Sequence, residues 1–478
     1  ILQGIDINRV SAGAFALGCG LAAIAGVFLG AYLRLSPYMG DLMLTKVVII
    51  FMLAGAGSIT GILITGFILG TISSVLPVFI FDTEILSKLP DKKDKRVSFI
   101  HHTLIKLQAA LATRGSSLLV LHGKPLEIFK KLSSSYFITA VYANHDYEPY
   151  AIERDLVIAD FLQHRKIPFH TFKDQVIFEK SEVLKSDGTP YIIFTPYAKV
   201  WKQKVHEAGV KSFHSEELLK NLYQTMPFHI PTLSEIGFTD IEISNQLPNI
   251  DENIIKQYHE TRNFPSLQGT SNLSVHIRFG TVSIRQLVQL ALNLNETWLN
   301  ELIWREFFMM ILYHFPKVVN NSFKSKYDQI VWRNNEGEFN QWCKGTTGYP
   351  IVDAGMRELN ATGFMHNRVR MIVASFLTKH LLIDWRWGEA YFAAKLLDYE
   401  LSSNNGNWQW SAGCGCDAAP YFRVFNPTEQ VKKFDPQYIY INRWVENLHE
   451  KDYPQPMVDH QFARERVLQA FKTALNDL

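Results

Sequence analysis

The chain has 478 residues, of which 20% are charged, and a formal net charge of +2; this length predicts roughly two to four domains with substantial cores. Because the net charge is near zero, the overall electrostatic field of the protein cannot attract nucleic acid. A nucleic-acid partner would therefore need a local basic patch. The four cysteines (Cys19, Cys343, Cys414 and Cys416) include no CxxC pair, which predicts no metal site and favours a reduced, cytoplasmic setting.

Residues 1–74 differ from the rest because they carry two long uncharged runs. Val10–Leu33 has no charge over 24 residues and Val47–Phe81 none over 35. Such runs are long enough to span a bilayer, although a buried helical hairpin in a soluble protein would also explain them. Gly4–Val10 and Gly55–Gly61 resemble the membrane helices of a branched-chain amino-acid ABC transporter permease. The resemblance implies a transmembrane-like helical segment that tethers the protein to the inner membrane.

An alternation of strands and helices follows, over residues 75–172. A helix is predicted where Val97, Ile100, Leu104, Leu107 and Leu111 recur at helical spacing. Lys124-Pro125 and Glu148-Pro149 predict two helix starts. The strand candidates are Val75–Phe81, Leu118–Leu121, Ala140–Tyr142 and Pro168–Phe172. This order predicts a parallel, doubly wound α/β domain. No GxGxxG follows a strand, so the common dinucleotide fingerprint is absent.

Residues 173–240 carry several prolines and are predicted to be a connector, and residues 241–478 are predicted to be helical. The helical part contains Tyr258 and, after it, the polar run Thr270-Ser271-Asn272-Leu273-Ser274. The hydroxyls and backbone N–H groups of this run could donate hydrogen bonds to a phosphate. Helix capping alone would explain the same cluster.

The next predicted helix has one face that combines charged and aromatic side chains. The residues on this face are Glu301, Trp304, Arg305 and Phe308. A surface Glu–Arg pair beside aromatic residues is the alternative. The segment Met365–Met371 contains Arg368 and Arg370. Together with Lys379, these basic side chains suit phosphate contacts, or are solvated helix charges.

The segment Asp398–Trp410 contains the closest grouping of side chains that could bind or react with a ligand. Asp398 and Glu400 lead into a turn-prone run, Ser402–Asn407, followed by Trp408 and Trp410. Carboxylates and amides suit the edge of a heterocycle, and indoles offer stacking and oxidisable rings. A polar loop before an aromatic core segment is the alternative.

These segments together resemble the photolyase/cryptochrome family over about residues 75–478, and especially its microbial class I cyclobutane pyrimidine dimer photolyases. Further matching segments are Pro77–Asp82, Thr195–Tyr197, Trp298–Glu306 and Asp417–Pro427. The resemblance implies an α/β antenna domain followed by a helical FAD-binding domain. It implies light-driven electron transfer from reduced FAD that splits pyrimidine dimers in DNA.

The resemblance also assigns roles to residues. Tyr258, Thr270–Ser274 and Arg305 are implied to hold the phosphate and adenosine side of FAD. Asp398, Tyr399 and Glu400 are expected along the flavin and ribityl chain, and Asn404 at flavin N5. Trp408, Trp385 and Trp332 are implied to relay an electron to the flavin. The residues expected at the dimer pocket or on DNA are Arg262, Glu301, Trp304, Asn367, Arg368, Met371 and Trp410.

The chain departs from the family pattern at its start. The family begins with a strand bearing a Phe-Arg-Arg-Asp-Leu-Arg motif, which the permease-like run replaces, so we expect an α/β domain that lacks its first strand. The antenna pigment, pterin or deazaflavin, stays open, and a monomer is expected. The main alternative is a cryptochrome-type blue-light photoreceptor without repair activity. A (6-4) photolyase would be expected to have a pair of histidines near the pocket. It is disfavoured because the segment Met365–Asn367 supplies one histidine, His366, followed by an asparagine. A membrane transport component is a fourth possibility.

Overall fold

A computed structural model describes residues 74–213, 215–243 and 247–476. The hydrophobic segment predicted at residues 1–74 lies outside the described residues, apart from Ser74. Leu76–Leu478 forms one compact unit. Within the described part of the chain, no helix is long and apolar enough to cross a membrane.

The first part of this unit is α/β. Its strands and helices are β1 (Val78–Asp82), α1 (Thr83–Leu86), α2 (Lys95–Ala112), β2 (Leu119–Gly123), α3 (Pro125–Ser135), β3 (Val141–Asn144), α4 (Pro149–His164) and β4 (Phe169–Phe172). All four predicted strands are present, and both proline-led helix starts are confirmed. The first strand begins at Val78, three residues later than predicted, and pairs from there with Leu119.

The four strands form two parallel pairs. β1 pairs with β2 and β3 pairs with β4, and among the described strands no ladder joins the two pairs. The Tyr150 hydroxyl, in the first turn of α4, donates to Asp82 Oδ2 at 2.6 Å. The carboxyl end of β1 therefore lies beside the helix that follows β3, as parallel strands in one α/β layer require.

The remainder is helical. The helices are α5 (Phe194–Ala208), α6 (Glu252–Thr261), α7 (Ser274–Arg278), α8 (Ile284–Leu294), α9 (Glu296–His314), α10 (Glu336–Lys344), α11 (Pro350–Thr362), α12 (Asn367–Ser375), α13 (Trp385–Lys395), α14 (Leu401–Ala412), α15 (Pro427–Phe434), α16 (Ile439–Trp444) and α17 (His460–Asn476). Three short 3-10 segments, at Ser215–Asn221, Pro316–Val319 and Ser325–Gln329, and a π-helical turn at Phe376–His380 lie among them.

The prediction of a turn over Ser402–Asn407 is wrong, because this run lies inside α14. Glu400 caps the helix: its carboxylate accepts the N–H groups of Ser402 and Ser403. Asn405, buried at 2% exposure, donates to the Val318 carbonyl at 2.9 Å. Turn-forming side chains thus find partners on neighbouring elements, which removes their preference for bonding their own backbone.

Helix α5 lies within the predicted connector and packs against α9. Tyr197 and Trp201 on α5 are buried. The fully buried Glu306 accepts hydrogen bonds from the backbone N–H groups of Ile177 and Phe178, at 2.7 and 3.0 Å, and from Trp201 Nε1. One carboxylate on α9 thereby fixes the segment that leaves the α/β part.

Candidate active site

A cavity of about 340 Å³ opens among helices α9, α12, α13 and α14. Most of the predicted flavin and dimer-pocket residues line it. They are Arg262, Glu301, Trp304, Arg305, Asn367, Met371, Asp398, Tyr399, Glu400, Asn404, Trp408 and Trp410. Segments nearly 150 residues apart in sequence therefore meet around one space.

Other predicted residues do not line this cavity. Tyr258 is buried, with the Arg262 guanidinium 5.4 Å from its ring centroid. The predicted phosphate loop, Thr270–Ser274, precedes the short helix α7, and Asn272 takes a left-handed φ of 53° within it. Trp385 is buried at 1% exposure and Trp332 is half-buried. Arg368 lies near the rim and donates to Asn263 Oδ1.

The Arg262–Glu301 pair forms an ion pair at the edge of the cavity. Burial raises the pKa of Glu301, and the positive charge of Arg262 opposes part of that shift. A carboxyl group with a raised pKa is suited to donate a hydrogen bond to a group that becomes negative.

Two acidic residues that line the cavity, Asp398 and Glu400, have basic partners. Asp398 forms an ion pair with Arg370, at 2.9 Å. Burial alone would raise the pKa of Glu400, but Arg278, Ser402 and Arg305 more than offset it and hold that pKa below its usual range. Both carboxylates therefore lie beside guanidinium groups at the cavity.

One of the suggested phosphate contacts is wrong, and another already has an acidic partner in the protein. Arg370 is bound to Asp398. Lys379 is 1% exposed and donates to the Ala412 carbonyl, at 2.7 Å, so it is neither a DNA contact nor a solvated helix charge. Lys379 lies in the π-helical turn Phe376–His380, and the local sequence does not reveal which face of that turn is buried.

Glu389 binds the cavity-lining residue Asn404 and was missed by the sequence analysis. Asn404 Nδ2 donates to the Glu389 carboxylate at 2.8 Å and to the Glu389 carbonyl at 3.1 Å. With its amide nitrogen engaged on α13, Asn404 keeps its amide oxygen as an acceptor at the cavity. Fifteen residues and a change of helix separate the two, so no local spacing could have predicted the pair.

Aromatic rings complete the walls. Trp304 stacks on Phe194 with ring centroids 3.8 Å apart and planes 4° apart. Trp408 meets the Phe392 ring edge-on, at 5.0 Å. Gly388 packs directly on the Trp408 ring: a Cβ there would lie 2.1 Å from Trp408 Cη2. The indole of Trp408 is thus locked against α13.

Comparison with known proteins agrees with this arrangement. The sequence profile described as "DNA photolyase" matches residues 70–215, and that described as "FAD binding domain of DNA photolyase" matches residues 298–451. The chain is 36% identical to the deoxyribodipyrimidine photo-lyase of Alkalihalophilus pseudofirmus over 435 residues, covering 80% of this chain and 90% of the relative. The chain belongs to the DNA photolyase family. It is accordingly a flavoprotein lyase of DNA repair with photolyase function.

Other photolyases are similarly close. The Escherichia coli deoxyribodipyrimidine photo-lyase is 36% identical, covering 80% of this chain and 89% of its own. The crystal structure of a class III photolyase from Agrobacterium tumefaciens has a TM-score of 0.72 at 31% identity, covering 84% of this chain and 92% of its own. An archaeal photolyase from Sulfolobus tokodaii, described with two FAD molecules, has the same TM-score at 33% identity, covering 84% of this chain and 94% of its own.

A third profile, described as "Branched-chain amino acid transport system / permease component", matches residues 2–89. It covers the hydrophobic segment and extends past β1 and α1. This match supports the permease resemblance of the first residues, and the similarity to photolyases covers 80% of the chain.

The cavity residues fit FAD. Arg305 donates to the Gln175 carbonyl at 2.6 Å, which leaves further N–H donors of its guanidinium for an anion. Burial lowers the pKa of Arg305, so an incoming phosphate would relieve an unfavourable buried cation. Asp398, Asn404 and the Trp408 ring supply the acceptors and the flat wall that an isoalloxazine needs.

Proposed function

We propose that the chain is a class I enzyme that splits cyclobutane pyrimidine dimers in DNA. The observation that carries this proposal is a single cavity whose lining includes both groups of predicted residues. Asp398, Glu400 and Asn404 form its flavin side. The dimer-side residues are Glu301, Trp304, Asn367, Met371 and Trp410.

The flavin side would hold the cofactor through fixed charges. Arg305 is the candidate for the pyrophosphate, with Tyr258 and the Thr270–Ser274 loop on the adenosine side. Asp398 and Glu400 would accept from the flavin edge and ribityl hydroxyls, and the Asn404 oxygen would accept at N5. When bound, FAD supplies light absorption and the electron that the dimer receives.

The dimer side would hold a flipped lesion without hydrolytic chemistry. Trp304 and Trp410 offer stacking faces, and Phe194 fixes the orientation of the Trp304 ring from behind. Glu301, with its raised pKa, would donate a hydrogen bond where the dimer becomes negative. A dimer that is already poorly paired costs least to extrude from the duplex.

Arg262 and Arg368 would contact the DNA backbone. Both guanidiniums lie near the cavity, and mutual repulsion contributes to a lowered Arg368 pKa after the larger effect of burial. Neighbouring cations that repel each other in the free protein gain most when phosphates arrive between them. Such contacts position DNA without reading its sequence.

Trp332, Trp385 and Trp408 would relay an electron towards the cavity during photoreduction. Trp332 is half-buried, while Trp385 and Trp408 are 1% and 2% exposed, which supports a relay that starts near the surface at Trp332. The exposed end can be reduced again by an external thiol.

We infer domain bounds of 75–172 for an α/β antenna domain without its first strand, 173–240 for a connector and 241–478 for the FAD-binding domain. The two separate strand pairs support the loss of a central strand. We further propose that the protein is monomeric and cytoplasmic and that it carries a pterin or deazaflavin antenna. Residues 1–74 would tether it to the membrane.

The deciding experiment is light-driven repair. Purified flavin-loaded protein is irradiated with blue light in the presence of an oligonucleotide with one cyclobutane dimer, and dimer loss is followed by chromatography. A matched sample kept in the dark is the control. Photoreduction of the flavin without dimer loss would select the cryptochrome-type alternative and refute the proposal.

A further inference from the structure

Asp417, in the turn that follows α14, has a backbone conformation that most side chains avoid. Its φ is 46°, in the left-handed region, and such conformations persist only where the surroundings hold the residue in place. The preceding residue, Cys416, is 3% exposed and belongs to the buried cluster that joins α5 and α9. Gly415 N–H donates to the Gln409 carbonyl at 3.1 Å. The turn is therefore anchored on both the cluster and α14, and it presents the Asp417 side chain in a fixed direction.

The Asp417 carboxylate caps helix α5. Phe194 is the first residue of α5, and its N–H donates to Asp417 Oδ2 at 3.1 Å. Ile193, the residue before the helix, has an apolar side chain and makes no capping hydrogen bond. A carboxylate from 223 positions further along the chain thus supplies the acceptor that the local sequence lacks. Its negative charge also suits the N-terminal end of a helix.

This hydrogen bond connects two aromatic residues that line the cavity. On one side of the bond, the Phe194 ring stacks on Trp304. On the other side, the turn that carries Asp417 is bonded to the last turn of α14, where Gly413 N–H donates to the Trp410 carbonyl at 3.2 Å. Trp304 and Trp410 both line the cavity. The Phe194–Asp417 bond therefore completes a path of contacts behind the cavity, from one indole to the other.

We propose that Asp417 is a positioning residue for the dimer side of the cavity. Its carboxylate fixes Phe194, and through Phe194 the plane of the Trp304 ring, relative to α14 and Trp410. Stacking on a bound dimer requires the two indoles at a set separation, because ring contacts weaken steeply once a gap opens. Asp417 itself contacts neither the dimer nor the flavin. The inference rests on the proposed function, since a dimer is the ligand that would stack on these rings.

Two substitutions separate the acceptor of Asp417 from its backbone and its charge. Asp417→Gly suits the left-handed φ but removes the acceptor, whereas Asp417→Asn keeps an acceptor and tolerates the same φ. Both remove one negative charge, so a difference between them reports the acceptor. In the dark, flavin-loaded Asp417→Gly should bind an oligonucleotide with one cyclobutane dimer about tenfold more weakly than the wild type does, and Asp417→Asn should stay within about threefold.

Fluorescence anisotropy of a labelled oligonucleotide measures this binding, and the same oligonucleotide without a dimer is the control. Its affinity should be equal in Asp417→Gly and Asp417→Asn. Wild-type affinity for the dimer in Asp417→Gly, or an equal loss in both variants, would overturn the inference. If the wild type bound damaged and undamaged oligonucleotides equally, the proposed function would fail before any variant was compared.

A double-mutant cycle tests whether Asp417 acts through Phe194. Phe194→Leu keeps an apolar side chain at this position but removes the ring that stacks on Trp304. In the Phe194→Leu background, Asp417→Gly should therefore weaken dimer binding by less than about twofold. A second tenfold loss in the double variant would contradict a path through Phe194. Flavin absorbance and melting temperature of each variant, compared with the wild type, show whether the fold is retained.

Discussion

Gly388→Ala should displace Trp408 and loosen the wall of the cavity. Gly388 lies in α13, and an added Cβ would lie 2.1 Å from Trp408 Cη2 and 2.6 Å from Leu377 Cδ2. Both neighbours are buried, at 2% and 0% exposure, so neither can move into solvent. Ordinary contact starts near 3.4 Å, and the indole must shift by about 1 Å to restore it.

The energetic cost follows from two opposing effects. Overpacking of this kind typically costs about 1–3 kcal/mol, and replacing glycine by alanine inside a helix returns up to about 1 kcal/mol. The net loss is about 1–2 kcal/mol, which for a unit of this size lowers the melting temperature by about 1–3 °C. Photoreduction should slow as well, because Trp408 changes its position relative to the cavity.

Thermal unfolding and photoreduction rate measure the two effects in one preparation. Gly337→Ala is the matched control, since Gly337 is an exposed glycine in α10 whose added Cβ would approach only Asn335 Oδ1, at 3.2 Å. A Gly388→Ala protein that melts and photoreduces like the wild type would refute the close packing of α13 on Trp408.

Further variants separate the roles of single groups. Trp408→Phe should abolish photoreduction but leave repair by chemically reduced protein intact; a loss of both would point to misfolding, which flavin absorbance reveals. Glu301→Ala should lower the repair yield with flavin still bound, and loss of flavin would contradict its place on the dimer side. Glu306→Gln should destabilise the fold by about 1–3 kcal/mol, because a buried carboxylate that accepts from Ile177 and Phe178 is replaced by an amide with one acceptor; an unchanged urea midpoint would refute this. Burial lowers the pKa of Lys379 to about 7, so above pH 7 the folded protein binds fewer protons than the unfolded chain and stability rises with pH towards the usual lysine range. Lys379→Met should remove that rise in urea titrations, and an identical pH profile in both proteins would contradict it.

The sequence by itself determined the elements and the residue types of the site. Helical spacing predicted that Glu301, Trp304, Arg305 and Phe308 share one face, and all four line the cavity. Proline at the first helical position predicted the starts of α3 and α4. These features depend on neighbours within a few residues, so local pattern is sufficient to predict them.

The tertiary structure alone decided which distant groups meet. Glu389 holds Asn404, Arg370 holds Asp398, and Lys379 is buried rather than solvated. The same holds for Trp342, whose contact with Trp408 joins α10 to α14. Such pairs depend on how helices pack, and packing is set by the sum of many long-range contacts that no short stretch of sequence contains. Ser402–Asn407 shows the consequence: its residues favour a turn in isolation, and buried partners on other elements make it a helix.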